Sequence, residues 1–291
     1  MLKATALSLL VKVQRTFSIY HKTLVHIEGG LGSQIFGVIS FWERQERYGV
    51  AKARCDLSYF TSQNRGDLWN WELDRYQISL KDLQGYESAT IRNILKLKSD
   101  FLSELEIDSG YWIQARKKYL DRFHFDPTLV NDFREKLAEF EDVHSYGAVH
   151  IRRGDYLKVA SKVIEFDEYL DLLISIRELI PKDLLIISDS PLHEKEIEKL
   201  RDIFGHNHNL IFLDDPQLDS FLIHCILRDA DLLVTSNSTF SFSAAVLGKP
   251  GQLAFSPVNF HSGQDAEKYN RSFRTVGSFM TLKIEEQGRL N

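Results

Sequence analysis

Two adjacent arginines, Arg152 and Arg153, follow an apolar segment and precede Gly154 and Asp155. Each guanidinium can donate two parallel hydrogen bonds in a planar fork, which suits a phosphate or a diphosphate. Asp155 lies close to both positive charges, so we expect it to stay ionised. Two interpretations are open at this point: an anion site, or an Arg–Asp ion pair that only braces the loop.

A run of hydroxyl and amide side chains, residues 235–243, follows a second apolar segment. A helix that begins here leaves its first N–H groups unpaired, and its dipole favours an anion. Ser238 and Thr239 add hydroxyl donors at the same place. Simple N-capping is the alternative, but a cap needs only one such residue. Together with the arginines, this run predicts an anion site built without a metal.

A third candidate is the glycine-rich segment Gly29–Gln34. It lacks the third glycine of the dinucleotide-binding fingerprint G-x-G-x-x-G. Gly30 and Gly32 still allow the backbone to approach a ligand closely. A tight turn without function is the equal alternative.

Other polar residues give weaker signals. Asp189 ends an apolar segment, so it could bind a ribose or a base, or cap a helix. The acidic pairs at 214–215 and 229–231 favour turn and capping roles over a metal site. The sequence contains no His/Cys cluster with zinc spacing and no G-x-S-x-G elbow of a hydrolase.

The composition is that of a soluble globular protein. The chain has 291 residues, 43% apolar and 26% charged, which suits two medium α/β domains or one large one. Its net charge of −5 argues against broad nucleic-acid binding. Cys55 and Cys225 have no metal-ligand spacing, and so few cysteines predict a reducing, cytoplasmic location.

The N-terminal residues 1–22 hold a short apolar run interrupted by Lys12 and Arg15. The run is too short for a membrane span and brief for a signal peptide. Two interpretations are open. Residues 1–19 form a basic amphipathic helix in peripheral contact with the inner face of a membrane, or they form a helix packed on the domain.

The second half of the chain alternates short apolar runs with helical patterns, which predicts βαβ units and a parallel sheet. The predicted strands are Tyr146–Ile151, Leu184–Ser188, Leu210–Leu213, Leu232–Thr235 and Gln252–Phe255. The predicted helices are Phe166–Leu179, His193–Phe204, Gln217–Asp229 and Phe240–Leu247. Because ligands bind outside the carboxyl ends of parallel strands, the arginines and the hydroxyl run should lie at one edge.

The first half is less regular. We predict a strand at Leu24–Ile27, a helix at Ser33–Tyr48 and a strand at Val50–Cys55, followed by an irregular aromatic-rich stretch. The domain boundary is predicted at 145/146, giving domains 1–145 and 146–291.

Four motifs resemble glycosyltransferase family 11, the inverting α-1,2-fucosyltransferases that use GDP-fucose. Residues 150–156 resemble its H-x-R-R-x-D motif and residues 236–241 its N-S-T-F-S segment. Residues 29–36 resemble its G-G-L-G-N-Q-M-F, and Gly110-Tyr111-Trp112 with Tyr119 resembles its G-Y-W-Q…Y-F. The resemblance spans about residues 24–250, in the family's order.

This resemblance implies an α/β fold of the GT-B type, with two Rossmann-like domains that face a cleft. The N-terminal domain would bind the acceptor and the C-terminal domain the nucleotide sugar. The implied reaction is metal-independent transfer of L-fucose from GDP-fucose, with inversion, to the 2-hydroxyl of a galactose-terminated glycan.

The resemblance also implies roles for individual residues. They are Arg152 and Arg153 at the diphosphate, Ser238 and Thr239 at the phosphates, Phe240 at the pocket wall, Asp189 at guanosine, and His150 and Asp155 near the sugar. Among these we predict Asp155, Arg152 and His150 to be catalytic. Asp155 would be the general base, or would instead orient the arginines.

Three positions depart from the family pattern. Ser33 stands where the family has Asn, Phe242-Ser243 replaces two tryptophans, and Gly37-Val38 replaces Gln-Tyr. These departures leave the acceptor and the donor sugar open. The alternatives are a related transferase of a different sugar, and a non-catalytic nucleotide- or glycan-binding protein on the same fold.

Overall fold

The structure is a computed structural model, and its chain divides into two compact units. The N-terminal unit is residues 1–106 and the C-terminal unit is residues 107–291. The structure describes residues 24–61, 70–83, 85–86, 116–137, 145–158, 163–215, 218–257 and 275–283.

The N-terminal unit contains a three-stranded parallel sheet in the order β1-β2-β3. Its strands are β1 (Leu24–His26), β2 (Arg54–Asp56) and β3 (Gly85–Tyr86). Helix α1 (Leu31–Tyr48) connects β1 to β2, and one turn of helix, α2 (Ser58–Thr61), follows β2. The predicted order of strand, helix and strand is confirmed, but α1 begins two residues earlier than predicted and β2 begins at Arg54 rather than at Val50.

The C-terminal unit contains a seven-stranded sheet in the order β6-β5-β4-β7-β8-β10-β9. Its strands are β4 (Tyr146–Ile151), β5 (Asp183–Ser188), β6 (Asn209–Leu213), β7 (Leu232–Val234), β8 (Leu253–Pro257), β9 (Thr275–Val276) and β10 (Phe279–Lys283). Strands β4 to β8 are mutually parallel, whereas β10 is antiparallel to both β8 and β9. The strand order therefore reverses direction between β4 and β7, as in doubly wound α/β folds.

Five helices lie among the described residues of this unit. They are α3 (Thr128–Leu137), α4 (Phe166–Ser175), α5 (Glu194–Phe204), α6 (Ser220–Asp229) and α7 (Thr239–Val246). Helix α4 ends at Ser175, and a 3₁₀ turn, Arg177–Leu179, completes the predicted helical segment. The predicted class, α/β with a parallel sheet in each of two units, is confirmed.

The segment 107–145 belongs to the C-terminal unit, whereas the sequence predicts it in the N-terminal domain. Helix α3 packs on α6. In addition, Arg228 Nη1 donates to Phe123 O at 2.8 Å, and Arg116 Nη1 donates to Val246 O at 2.8 Å. These buried contacts join residues 116–137 to the C-terminal unit, whereas the boundary at 145/146 stays a prediction.

Two predictions concern residues that the structure does not describe, the amphipathic segment 1–19 and the motif Gly110-Tyr111-Trp112. Within the described ranges, no helix is both long and apolar enough to cross a bilayer.

Candidate functional site

The two predicted anion-binding segments meet where β4 and β7 end side by side. Nδ1 of His150, on β4, lies 2.8 Å from Oγ of Ser236, two residues beyond β7. His150 is 4% exposed and Ser236 1% exposed, so this hydrogen bond is fully buried. It joins the loop Arg152–Gly154, hereafter the arginine loop, to the segment that leads into α7. The point of contact is the strand-order switch, where open α/β sheets bind ligands.

Asp189, at the end of β5, fixes the arginine loop through both carboxylate oxygens. Oδ1 accepts a hydrogen bond from the Arg153 backbone N–H at 2.7 Å, and Oδ2 forms an ion pair with Arg152 Nη1 at 2.8 Å. Gly154 has a φ of +21°, and a Cβ at this residue would lie 2.4 Å from Asp189 Oδ2. The structure therefore gives Asp189 a loop-positioning role. Its predicted contact with guanosine stays a prediction.

The two guanidiniums have different carboxylate partners. Arg152 pairs with Asp189, whereas Arg153 Nη2 lies 2.5 Å from Oε1 of Glu196 in the first turn of α5. Burial opposes ionisation of Glu196, but the hydrogen bonds from Arg153 and from the His193 N–H, together with the nearby positive charges, outweigh burial and lower the pKa of Glu196. The Arg152 side chain is 22% exposed and that of Arg153 12%, so Arg152 is the more accessible to a ligand. The Asp155 side chain is not among those described, and its predicted role stays a prediction.

Ser238 is the N-cap of α7, and its Oγ accepts a hydrogen bond from the Phe240 N–H at 3.3 Å. Ser236 is bound to Ser241, whose Oγ accepts from the Ser236 N–H at 3.1 Å. Hydroxyl groups of the run thus organise the turn as well as cap the helix. Thr239 and Phe240 are half-buried in the first turn of α7, at the end of the helix whose dipole favours an anion.

Phe240 contacts two buried histidines. Its ring centroid lies 5.5 Å from that of His150 and 5.3 Å from that of His224 on α6. His224 Nε2 is 2.9 Å from Ser243 Oγ. Burial, with a smaller contribution from the charge of Arg152, lowers the pKa of His150 to about 3. Burial also lowers the pKa of His224. Both rings are therefore neutral near pH 7, and His150 contributes a fixed neutral ring to the site.

The glycine-rich segment lies in the N-terminal unit, where Gly30 precedes α1 and Gly32 lies in its first turn. Gly29 has a φ of +81°, and a Cβ there would lie 3.3 Å from the Ser33 side chain. Gln34 is fully buried, and it stabilises this turn because its Nε2 donates a hydrogen bond to Gly29 O at 2.9 Å. A ligand-binding role of Gly30 and Gly32 stays a prediction.

The acidic pair on either side of Ala230 is structural. Asp231 accepts a hydrogen bond from the Tyr146 N–H at 3.2 Å and pairs with Lys249 at 2.6 Å. Asp229 accepts from the Tyr146 hydroxyl at 3.3 Å. In the part of the chain that the structure describes, no group of three or more His, Cys, Asp or Glu is arranged to hold a metal ion.

Several contacts of the site residues were not predicted from the sequence. Glu196 lies three residues after His193 and before an apolar repeat, a spacing typical of a capping box, so it could have been placed at the start of α5. Its ion pair with Arg153, 43 residues away in the chain, left no such signal. His26 is the last residue of β1 and lies within the apolar run Leu24–Ile27, so this polar residue could have been recognised as unusual.

Neither a protein-family model nor a curated protein sequence matches the chain. Among solved structures, the chain is similar to NodZ α-1,6-fucosyltransferase soaked with GDP-fucose. The two are 10% identical over 89% of this chain and 98% of the other, with a TM-score of 0.44. It is also similar to POFUT1 in complex with GDP, at 13% identity over 77% and 93% of the two chains, with a TM-score of 0.43.

A UDP-GlcNAc 2-epimerase from Neisseria meningitidis bound to UDP-GlcNAc is 14% identical over 91% of this chain and 65% of that chain, with a TM-score of 0.32. Identities and TM-scores this low assign no activity and no ligand to this chain.

Proposed function

We propose that the chain is a glycosyltransferase that transfers L-fucose from GDP-fucose, with inversion and without a metal, to the 2-hydroxyl of a galactose in a glycan. The observation that carries the proposal is the buried hydrogen bond between His150 and Ser236, because it brings the arginine loop and the start of α7 together. A negatively charged leaving group would meet a guanidinium and a helix N-terminus there. The motif resemblance supports GDP as that leaving group.

Arg152 is the residue that we expect on the diphosphate. It is the more exposed of the two arginines, and Asp189 holds its guanidinium in place. As the bond between the sugar and the phosphate breaks, negative charge grows on the diphosphate, and each charge-assisted hydrogen bond contributes about 1.5–3 kcal/mol. Ser238 and Thr239 would bind the same group from α7. Nη2 of Arg153 is bound to Glu196, so Arg153 would contact a phosphate through its other guanidinium N–H groups.

The acceptor hydroxyl must lose its proton as its oxygen attacks the anomeric carbon. Asp155 is the base that the sequence suggests, with orientation of the arginines as its alternative role. Alignment of the two substrates matters more than the base, because effective molarities reach about 10⁵–10⁸ M whereas a general base contributes about 10²–10⁴-fold. The neutral ring of His150 would shape the pocket near the sugar rather than carry the proton.

The donor is tested by a thermal-shift screen with GDP, UDP, ADP and CMP, since a ligand that binds only the folded state raises the melting temperature. We expect a clear preference for GDP. A preference for another nucleotide would favour a transferase of a different sugar. The serine at position 33, where the family has asparagine, is the sequence feature that suggests this alternative.

Transfer itself is tested with GDP-fucose and a panel of β-galactosides, with and without EDTA. We expect turnover that EDTA leaves unchanged and that Arg152→Ala lowers by about 10- to 100-fold. Arg201→Ala, an exposed arginine of α5, is the matched control and should retain full activity. Nucleotide binding without turnover on a broad panel would instead favour the non-catalytic protein.

A further inference from the structure

Two buried arginines hold the C-terminal end of α7, the helix whose first turn belongs to the candidate site. Arg116 Nη1 donates to Val246 O at 2.8 Å, and Arg228 Nε donates to Leu247 O at 2.9 Å. Val246 is the last residue of α7 and Leu247 is its C-cap. The last carbonyl groups of a helix have no partner within the helix, so the two side chains supply partners for them.

The two arginines come from separate segments of the C-terminal unit. Arg228 lies near the end of α6, whereas Arg116 lies 130 residues before Val246 in the chain. Each arginine is 5% exposed, so both guanidiniums are largely removed from water. Arg228 Nη1 also donates to Phe123 O at 2.8 Å. These bonds fix positive charge at the end of α7 that lies opposite its Ser238 cap.

Arg116 is a cation in spite of its burial. Burial, with a smaller contribution from the charge of Arg228, lowers the pKa of Arg116 to about 10, which is still well above neutral pH. The charges of the two arginines are therefore close enough to act on each other. Burying a charge costs free energy, and a neutral amide could donate the same hydrogen bond to Val246 O. Capping of α7 alone therefore does not account for a charged residue at position 116.

A positive charge at the C-terminus of α7 changes how the helix acts on an anion at its N-terminus. The helix dipole places about half a negative charge at the C-terminus, and a guanidinium there cancels it. The 8 residues of α7 span about 12 Å, so the Arg116 charge and an anion beyond the first turn lie roughly 15–20 Å apart. At an effective dielectric constant of about 20, two unit charges at that distance change an affinity about fivefold.

We propose that Arg116, together with Arg228, strengthens diphosphate binding at the N-terminus of α7 by supplying positive charge from the opposite end of the helix. In this role Arg116 is a positioning residue that acts through α7, and all the residues involved belong to the C-terminal unit. The inference rests on the proposed function, which places the diphosphate of GDP-fucose at this helix end. It predicts that the loss of affinity on removing the charge grows with the number of phosphate charges on the ligand.

The test measures the affinities of GDP, GMP and guanosine by NMR titration for wild type, Arg116→Gln, Arg116→Met and Arg116→Lys. The glutamine variant keeps an N–H donor for Val246 O but removes the charge, whereas the lysine variant keeps the charge. We expect Arg116→Gln to lower GDP affinity about 5- to 20-fold, to lower GMP affinity less and to leave guanosine affinity within about twofold. Arg116→Lys should stay within about threefold of wild type for all three ligands.

Lys117→Gln is the matched control, because it removes the neighbouring charge from an exposed position. Water and salt screen that charge, so the variant should bind all three ligands as the wild type does. Arg116→Met removes the same charge as Arg116→Gln with an apolar side chain. It provides the comparison if the glutamine variant does not fold, which circular dichroism checks.

Three results would overturn the inference. Equal losses for all three ligands, an unchanged GDP affinity in the charge-removing variants, or the same loss in Arg116→Lys as in Arg116→Gln would show that Arg116 only stabilises the fold. The nucleotide site itself would then stand. If the wild-type chain binds neither GDP nor GMP, the proposed function fails and the inference fails with it.

Discussion

The Asp189 carboxylate occupies the space that a Cβ of Gly154 would enter. A Cβ at Gly154 would stand 2.4 Å from Oδ2, and the carboxylate cannot easily move because Arg152 and the Arg153 N–H hold it. We therefore expect Gly154→Ala to displace the arginine loop, lower GDP affinity at least about tenfold and destabilise the fold by about 1–3 kcal/mol. Calorimetric titration with GDP measures the first effect and urea unfolding the second.

Gly251→Ala is the control for this prediction. Gly251 also has a positive φ, +85°, but nothing lies within 4 Å of a Cβ placed there. This variant should lose stability through backbone strain alone and bind GDP normally. Wild-type GDP affinity in Gly154→Ala would show that the arginine loop does not hold the nucleotide.

Gln34 is the second residue whose replacement should have a large effect. Its Nε2 donates to Gly29 O at 2.9 Å and to Asn70 O at 2.8 Å, and its Oε1 accepts from the Glu72 N–H at 2.9 Å. In Gln34→Leu these backbone groups lose their partners inside the unit, so we expect the free energy of unfolding to fall by about 3 kcal/mol. Urea unfolding measures it, with Gln45→Leu on the same helix as the control. Equal midpoints for the two variants would contradict the prediction.

His26 should make the fold less stable in mild alkali. Burial lowers its pKa, but the hydrogen bonds to Asp56 and Glu28 outweigh burial and raise the pKa to about 9 in the folded state, against an ordinary value of 6.5. Below pH 6.5 both folded and unfolded chains carry the proton, so the contribution to stability is complete. As the pH rises towards 9 it is lost, to an extent of the order of 3 kcal/mol. We expect the thermal midpoint of wild type to fall across this window and that of His26→Gln to fall less. Parallel curves would contradict the charged state of His26.

His150 should act in the opposite direction. Its folded-state pKa of about 3 lies below the ordinary 6.5, so its contribution to stability is complete above pH 6.5 and is lost as the pH falls towards 3. His224 has a lowered pKa for the same reason, burial. Thermal midpoints between pH 4 and 7 should therefore depend less on pH in His150→Gln than in wild type. An unchanged acid dependence would show that the ring is not neutral and buried.

The central sheet of the C-terminal unit could be predicted because its strands are continuous apolar runs between amphipathic helices. Strands β4 and β5 are buried along their whole length, and such runs carry their signal locally. The β9–β10 ribbon was not predicted. Strand β9 has only two residues, and the turn at Gly277 with a φ of +56° depends on pairing with β8 rather than on a local pattern.

The position of the candidate site could be predicted, but its internal bonding could not. The sheet edge at which the site lies could be predicted, because the arginine loop directly follows β4 and the hydroxyl-rich run directly follows β7. The carboxylates that bind the arginines could not be predicted, because Asp189 is 36 residues from Arg153 and Glu196 is 43 residues from it. The sequence suggested the neighbouring Asp155 as the partner. Residues this far apart in the sequence pair only because tertiary packing brings their helices and strands side by side, and no local pattern indicates that packing.

Phe240, wedged between His150 and His224, has a consequence for the thermodynamics of ligand binding. The first turn of α7 is already held by these tilted and edge-on ring contacts and by the Ser238 cap, so its conformational entropy is lost during folding. Binding of an anion would therefore not have to order the N-terminus of α7. The smaller entropy cost favours tighter binding for the same set of contacts.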